Sequence, residues 1–201
     1  MKRRDLLKMS VLSGLVAAST QAAAEPACAA DGTPNQFIPT TPADTPPLDN
    51  DFDKNPKCPY CGMDRKEHHR ARMLVQYSDD LTDGVCSIHC LSLSLGLNID
   101  REPKHIWGPD YGSTVEPRPL LPVDDMVYLI GANLKHAMTK RSKHSFASLS
   151  TAREFLAKHG GELGNFNDAL RESYLDMAGD VGMIRKNREE RRKRAMQHNH
   201  G

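Results

Sequence analysis

Two close pairs of cysteines constrain this chain more than any other feature of its sequence. Cys58 and Cys61 form the first pair, and Cys86 and Cys90 form the second, so four of the five cysteines lie within 33 residues. A C-x2-C pair followed at a distance by a second close pair is the spacing of a four-ligand metal site. Sulfur is a soft ligand that selects Cu(I), Zn(II) or another thiophilic metal. We therefore predict a metal site at these four residues.

A structural zinc site is the simplest form of this prediction, because it needs the four cysteines and nothing else. One cysteine about two dozen residues before a C-x3-C pair also resembles the treble-clef modules of metal-handling proteins. Such a site would stabilise a small domain outright. A zinc-stapled interaction module is therefore one alternative function, in which Met63 and His89 have no role as ligands.

A second alternative is a thiol-disulfide oxidoreductase that uses Cys58-Pro59-Tyr60-Cys61, the four residues found at the active site of glutaredoxins. In that family a buried strand leads into the motif, and a helix begins at its first cysteine and lowers the pKa of that thiol. Here the polar segment 53–57 precedes the motif and Gly62 follows it. Neither a buried strand nor a continuing helix is indicated.

The first 24 residues predict an export signal. They contain a basic segment at 2–8, a short apolar segment at 9–18 and small residues at 22–24. The apolar segment is shorter than the roughly 20 residues that span a bilayer. Arg3 and Arg4, followed by Asp-Leu-Leu-Lys, resemble a twin-arginine signal, with an ordinary secretory signal as the alternative. Either signal predicts a periplasmic protein.

Export complicates the chemistry of the cysteines, because an oxidising compartment favours disulfides. A bridge within each of the two pairs is the alternative to metal ligation and would leave Cys28 unpaired. A metal bound before export would protect the thiolates. Cys28 is also a candidate for lipid attachment, but the residues at 25–27 match a lipidation sequence poorly. We therefore expect no lipid anchor.

The rest of the chain divides into a linker, one domain and a tail. Residues 25–57 hold seven of the thirteen prolines and predict an extended linker. Residues 58–178 are expected to form one metal-binding domain, and residues 179–201 a basic helical tail. Segment 185–194 carries seven basic and two acidic residues. We expect a solvated, charged helix, with weak contact to anionic lipid or a partner as the alternative. No nucleic-acid-binding pattern is present.

Hydrophobic patterning predicts an α+β fold made of two β-hairpin-plus-helix units. The first unit has strands at 71–77 and 81–86 and a helix from Ser87 to Leu97. This arrangement places Cys86 at the end of a strand and Cys90 in the first helical turn, where both side chains point the same way.

The second unit has strands at 126–130 and 145–147 and a helix at 151–159, with a capping box at its start and Gly160-Gly161 at its end. The intervening segment 103–122 contains several prolines and glycines and is expected to be irregular. A further helix is predicted at 166–177.

Five motifs occur in order along the chain. They are C-x-x-C-G-M at 58–63, C-S-I-H-C at 86–90, V-Y-L-I-G at 127–131, A-M-T-K-R-S-K-H-S-F-A at 137–147, and a helix ending in H-G-G at 159–161. Together they resemble the NosL family of nitrous-oxide-reductase accessory proteins over about residues 58–167. The resemblance implies a small α+β fold of two related units. It also implies a non-enzymatic periplasmic chaperone that, with a membrane transporter complex, helps to load Cu(I) into nitrous oxide reductase or a similar exported enzyme.

The resemblance also implies which residues bind copper. By resemblance to the family, Cys61 and Met63 are expected to bind copper, and so is Met138. The alternative for Met138 is that it fills a gap in the core. Only some members have the second cysteine pair, so Cys86 and Cys90 are open to zinc, copper or neither. Members of the family are commonly lipoproteins, whereas we expect no lipid anchor on this chain. A carrier must hold Cu(I) tightly yet release it, which suits thiolate combined with weaker thioether ligands.

Overall fold

The computed structural model describes residues 42–198. The predicted export signal at 1–24, Cys28 and the first part of the predicted linker lie outside the described residues. Between residues 42 and 198, no helix has both the length and the apolar character that crossing a membrane requires.

Eleven α-helices and β-strands make up the described fold. In chain order they are α1 (Asp51–Lys54), β1 (Met73–Tyr77), β2 (Thr82–Val85), α2 (Ile88–Leu97), β3 (Pro103–Pro109), β4 (Leu120–Pro122), β5 (Val127–Ile130), β6 (Lys143–Phe146), α3 (Leu149–His159), β7 (Glu162–Gly164) and α4 (Phe166–His198). The strands form two antiparallel sheets, with the orders β2-β1-β3-β4 and β6-β5-β7. The predicted α+β fold of two hairpin-plus-helix units, β1-β2-α2 and β5-β6-α3, is confirmed.

The prediction that residues 103–122 are irregular was wrong for about half of the segment, which forms β3 and β4. Strand β3 pairs with β1 in the middle of the first sheet, with Leu74 opposite Trp107 and Val75 opposite Ile106. The prolines of β3 stand at its two ends, where a missing N–H does not interrupt the central hydrogen bonds of the ladder. Pro103 and Pro109 therefore mark the two ends of a strand. The irregular part is confined to the connection between β3 and β4.

Helices begin and end close to the predicted residues, with one exception. Helix α3 begins two residues earlier than predicted, because Ser148 caps it by accepting a hydrogen bond from the Thr151 N–H at 3.4 Å. It stops at Gly160 and Gly161, which have φ angles of +69° and +98°. The exception is α4, which continues from the predicted helix through the predicted basic tail to His198.

The segment just before Cys58, predicted as the end of the linker, packs against the domain. Helix α1 places Asp51 in the interior, where its Oδ2 accepts hydrogen bonds from Arg65 Nη2 at 3.0 Å and Arg72 Nε at 3.2 Å. Arg65 is fully buried and also donates to the carbonyl oxygens of Asn55 and Met73. The two buried guanidiniums thus share one carboxylate, and carbonyl oxygens accept their remaining hydrogen bonds, as a low-dielectric interior requires.

The main hydrophobic core lies between the first sheet, α2, β5 and α4. It contains Cys58, Cys86 and Cys90 among its buried residues, together with Leu91 and Tyr128. A smaller core under α3 is formed around Phe146 and Leu129. Three of the four paired cysteines are therefore buried in the main hydrophobic core.

Candidate metal centre

The fold brings the four predicted cysteine ligands into one cluster. Their sulfur atoms all lie within 4.8 Å of one another, with Cys61 Sγ 3.3 Å from Cys86 Sγ and Cys86 Sγ 3.7 Å from Cys90 Sγ. All four are free thiols. A tetrahedral ion with metal–sulfur bonds of about 2.3 Å has sulfur–sulfur edges of about 3.8 Å. The sulfurs therefore need only small shifts to hold a single metal ion.

A tight turn positions the first pair. The Cys58 N–H donates to the Met63 carbonyl at 2.9 Å, and the Gly62 N–H donates to the Cys58 carbonyl at 2.8 Å. Gly62 adopts a φ of +76°, which glycine reaches without strain. The turn folds the chain back after Cys61, so that Cys58 and Cys61 present their sulfurs to the same point.

A strand-to-helix junction positions the second pair. Cys86 directly follows β2, and Cys90 lies in the first turn of α2, where the Leu91 N–H donates to the Ser87 carbonyl at 3.0 Å. The predicted placement of both cysteines is confirmed. The positive end of the helix dipole lies beside them and favours negative charge on sulfur.

The protonation of the cluster is uneven. Hydrogen bonds from Cys61, Cys86 and Cys90 hold the pKa of Cys58 far below its usual range. The pKa values of Cys86 and Cys90 are raised, because their thiols hydrogen-bond to Cys58 and Cys61 and because both are buried. A buried cluster cannot carry four uncompensated negative charges. Metal binding must therefore displace protons, as ligation by thiolates generally does.

A hydrogen-bond network ties the first turn to the rest of the domain. The Tyr60 hydroxyl donates to Asp83 Oδ2 at 2.6 Å, and the Ser94 hydroxyl donates to the same oxygen at 2.6 Å. Asp83 lies on β2 and Ser94 on α2, so the carboxylate joins the turn, the strand and the helix that carry the cysteines. Burial raises the pKa of Asp83, despite the hydrogen bonds from Ser94 and Tyr60.

The predicted thioether ligands lie beside the cluster in a groove of about 590 Å³ that Cys61, Met63 and Met138 help to line. Cys61 is half-buried, whereas the other three cysteines are almost fully buried. The groove is therefore the side from which the cluster is reached. Met138 adopts a left-handed φ of +63°, which is uncommon for a non-glycine residue.

His89 is not part of the cluster, although it lies between two of the cysteines in sequence. Its Nδ1 atom lies 3.3 Å from Asp180 Oδ2 on α4, and both side chains are buried. Successive residues on a helix point about 100° apart, so His89 and Cys90 face different neighbours. His89 links α2 to α4.

Sequence reasoning missed Met183, which lines the same groove as the three predicted residues. It lies in the segment predicted as a charged tail, where the basic residues dominate the pattern. One face of α4 could have indicated that Met183 belongs to the domain. Ala169, Ser173 and Asp180 are buried and recur at helical spacing, and Met183 lies on the same face.

Comparison with known proteins agrees with the motifs. Residues 49–174, more than half of the chain, match the family described as NosL. A solved structure, the copper chaperone NosL from Shewanella denitrificans, is similar with 20% sequence identity and a TM-score of 0.45, over 55% of this chain and 87% of that one. A search of curated proteins found no match. The resemblance drawn from the motifs is confirmed by the family match, and this chain belongs to the NosL family.

Proposed function

We propose that this protein is a periplasmic Cu(I)-binding accessory protein that delivers copper to nitrous oxide reductase or a similar exported copper enzyme. The observation that carries the proposal is the position of Cys61, which lies at the edge of the four-cysteine cluster and shares a groove with Met63 and Met138. Thiolate and thioether sulfur together form a soft ligand set that suits Cu(I).

Delivery requires that the metal can leave as well as bind. The half-buried Cys61 and Met63 leave room for a ligand from a recipient to approach, and copper can then pass by exchange of one sulfur ligand at a time. A metal held only by the three buried cysteines would have no such route. The partial exposure of Cys61 and Met63 thus supports a site at the groove from which copper can be released.

The location and the partners belong to the same proposal. The basic and apolar segments within residues 1–24 support export to the periplasm by the twin-arginine route, and the family resemblance supports work with a membrane transporter complex. The basic residues of α4 at 185–194 offer a further weak contact with anionic lipid.

A structural zinc site is the second candidate, and the burial of the cluster favours it. Cys58, Cys86 and Cys90 are at most 1% exposed, as expected of a closed site that stabilises a fold. Thiol exchange has weaker support, because an attacking thiolate must be accessible. Cys58 is buried, and it is followed by a turn instead of a helix.

Metal analysis followed by a transfer assay tests the proposal. Protein purified without oxygen from the periplasm should contain copper or bind one equivalent of Cu(I) in competition with a chromophoric chelator. It should then restore activity to copper-free nitrous oxide reductase faster than the same concentration of chelated Cu(I). Binding of zinc with no measurable Cu(I) affinity would overturn the carrier function and leave the zinc-stapled module.

A further inference from the structure

A buried carboxylate on helix α4 joins the helix to two parts of the metal-binding half of the molecule. Asp180 is 2% exposed. Its Oδ1 accepts a hydrogen bond from the Lys140 backbone N–H at 2.9 Å, and its Oδ2 lies 3.3 Å from His89 Nδ1. One side chain of α4 therefore contacts both the helix that carries Cys90 and the loop that carries Met138.

Two further contacts hold the same face of α4 in place. The Ser92 hydroxyl of α2 donates to the Ser173 hydroxyl at 2.9 Å, and Lys143 Nζ of β6 donates to Asp176 Oδ2 at 2.8 Å. The Lys143 side chain is fully buried, and Asp176 is 25% exposed. Residues 173–180 of α4 are thus anchored at successive helical turns.

The position of Met183 follows from this anchoring. Residues three apart on a helix lie on the same face, so Met183 follows Asp180 toward the metal-binding side. The helix brings it to the groove that is lined by Cys61, Met63 and Met138. Met183 is half-buried, whereas every residue from 185 to 197 is exposed. It is one of the last residues of α4 that pack against the domain.

We infer that Met183 is a further copper ligand, which supplies a third thioether to Cu(I) held beside Cys61. This inference rests on the proposed copper-binding function and adds a ligand from outside the residues that match the family, which end at 174. The other residues that α4 contributes to the groove are Ile184, Asn187, Arg188, Arg191 and Arg194. None of these offers a soft donor, so Met183 is the residue through which α4 can contact the metal.

If Met183 binds copper, helix α4 also helps to retain the metal in the groove. Met183 would close the groove over copper bound to Cys61 and Met63, and it would open the site when the helix is displaced by a recipient. Because thioether is a weak neutral ligand, its loss lowers affinity without removing the site. The expected signature is therefore graded weakening of Cu(I) binding and not its abolition.

The test compares Met183→Leu with Met196→Leu in the full-length protein. Leucine keeps the volume and apolar character of methionine, and Met196 lies on the same helix, is 64% exposed and does not line the groove. We expect Met183→Leu to weaken Cu(I) binding on the order of tenfold, measured by chelator competition, with 10-fold to 100-fold losses typical when groups that support a metal site are removed. Met196→Leu should bind like wild type.

A measurement on the unmodified protein keeps the inference falsifiable if Met183→Leu folds poorly. The methyl group of Met183 should shift in a carbon–proton NMR spectrum when one equivalent of Cu(I), or Ag(I) as its redox-inert substitute, is added. The methyl group of Met196 should not shift. Equal Cu(I) affinities for the two variants, together with an unshifted Met183 methyl group, would overturn the inference.

The parallel variant Met63→Leu separates this inference from the proposed function. If Met63→Leu weakens Cu(I) binding and Met183→Leu does not, then copper binds at the groove without help from α4, and only the further inference fails. If neither substitution changes Cu(I) affinity, the groove is not a copper site, and the proposed function fails with it.

Discussion

The guanidinium of Arg65, fully buried beneath the first cysteine turn, donates to the carboxylate of Asp51 at 3.0 Å. The pair joins the chain seven residues before Cys58 to the chain seven residues after it, and so closes the base of the turn that presents Cys58 and Cys61. The turn that carries Cys58, Cys61 and Met63 is therefore supported by an ion pair whose two residues are not themselves candidate ligands.

Asp51→Asn tests this support. The substitution leaves Arg65 buried without its carboxylate, and removal of one partner of a buried ion pair costs about 3 to 5 kcal/mol. We expect the free energy of unfolding of the metal-free protein to fall by on the order of 3 kcal/mol in urea denaturation. Asp53→Asn, at an exposed position of the same helix, is the matched control and should stay within about 0.5 kcal/mol of wild type. Equal effects at the two positions would contradict the role of the ion pair.

Met63→Leu addresses copper ligation with little effect on packing, since the swap should cost less than about 1.5 kcal/mol. It removes a thioether that Cu(I) uses and that Zn(II) sites rarely need. We expect weaker Cu(I) binding in chelator competition and unchanged zinc content by metal analysis. Cys61→Ser should weaken copper binding further, because it removes an anionic ligand. Wild-type affinity in Met63→Leu would refute the assignment of this methionine.

Cys86→Ser addresses the structural role of the cluster. If the four cysteines hold zinc, loss of one buried ligand opens a closed site, and the melting temperature should fall by well over 10 °C. A chelator that removes the metal should lower the melting temperature of the wild type in the same way. Should the variant and the chelator-treated wild type both melt like the untreated protein, the zinc site has no structural role.

The stability of the fold should depend on pH through His144 on β6. Burial lowers the pKa of His144 to about 4, neither ring nitrogen has a hydrogen-bond partner of good geometry, and the ring stacks on Tyr111 with centroids 4.1 Å apart. An unfolded histidine has a pKa of about 6.5, so between pH 6.5 and 4 the unfolded state binds more protons than the folded state. Stability is therefore full above pH 6.5 and falls as the solution is acidified.

The size of this effect is set by the difference between the two pKa values and reaches about 3 kcal/mol near pH 4. His144→Phe keeps an aromatic ring against Tyr111 and cannot take up a proton. Between pH 6.5 and pH 4, the free energy of unfolding of His144→Phe should fall by about 3 kcal/mol less than that of the wild type. Urea denaturation at each pH measures this difference. Parallel curves for the two proteins would show that His144 does not titrate on unfolding.

The sequence predicted those parts of the structure that depend on local pattern. The strand end at Cys86 and the helical turn at Cys90 followed from adjacent residues, as did the stop of α3 at Gly160. The pairing of β3 did not, because Trp107 meets Leu74 across the sheet and prolines at the strand ends obscured the alternation. Nor did Met183, since its position depends on the contact of Asp180 with residues about 40 and 90 positions earlier in the chain.

The metal cluster and the groove depend on different amounts of the chain. Residues 58–90 contain all four cysteines of the cluster, whereas the groove needs Cys61 together with Met183, about 120 residues later. Residues 58–90 supply every sulfur of the cluster, but they offer no place for the three methionines to meet without the loop that carries Met138 and without α4. If copper binds at the groove as proposed, its full set of sulfur ligands comes together only after α4 has packed against the domain, and the affinity for Cu(I) then reports completed folding.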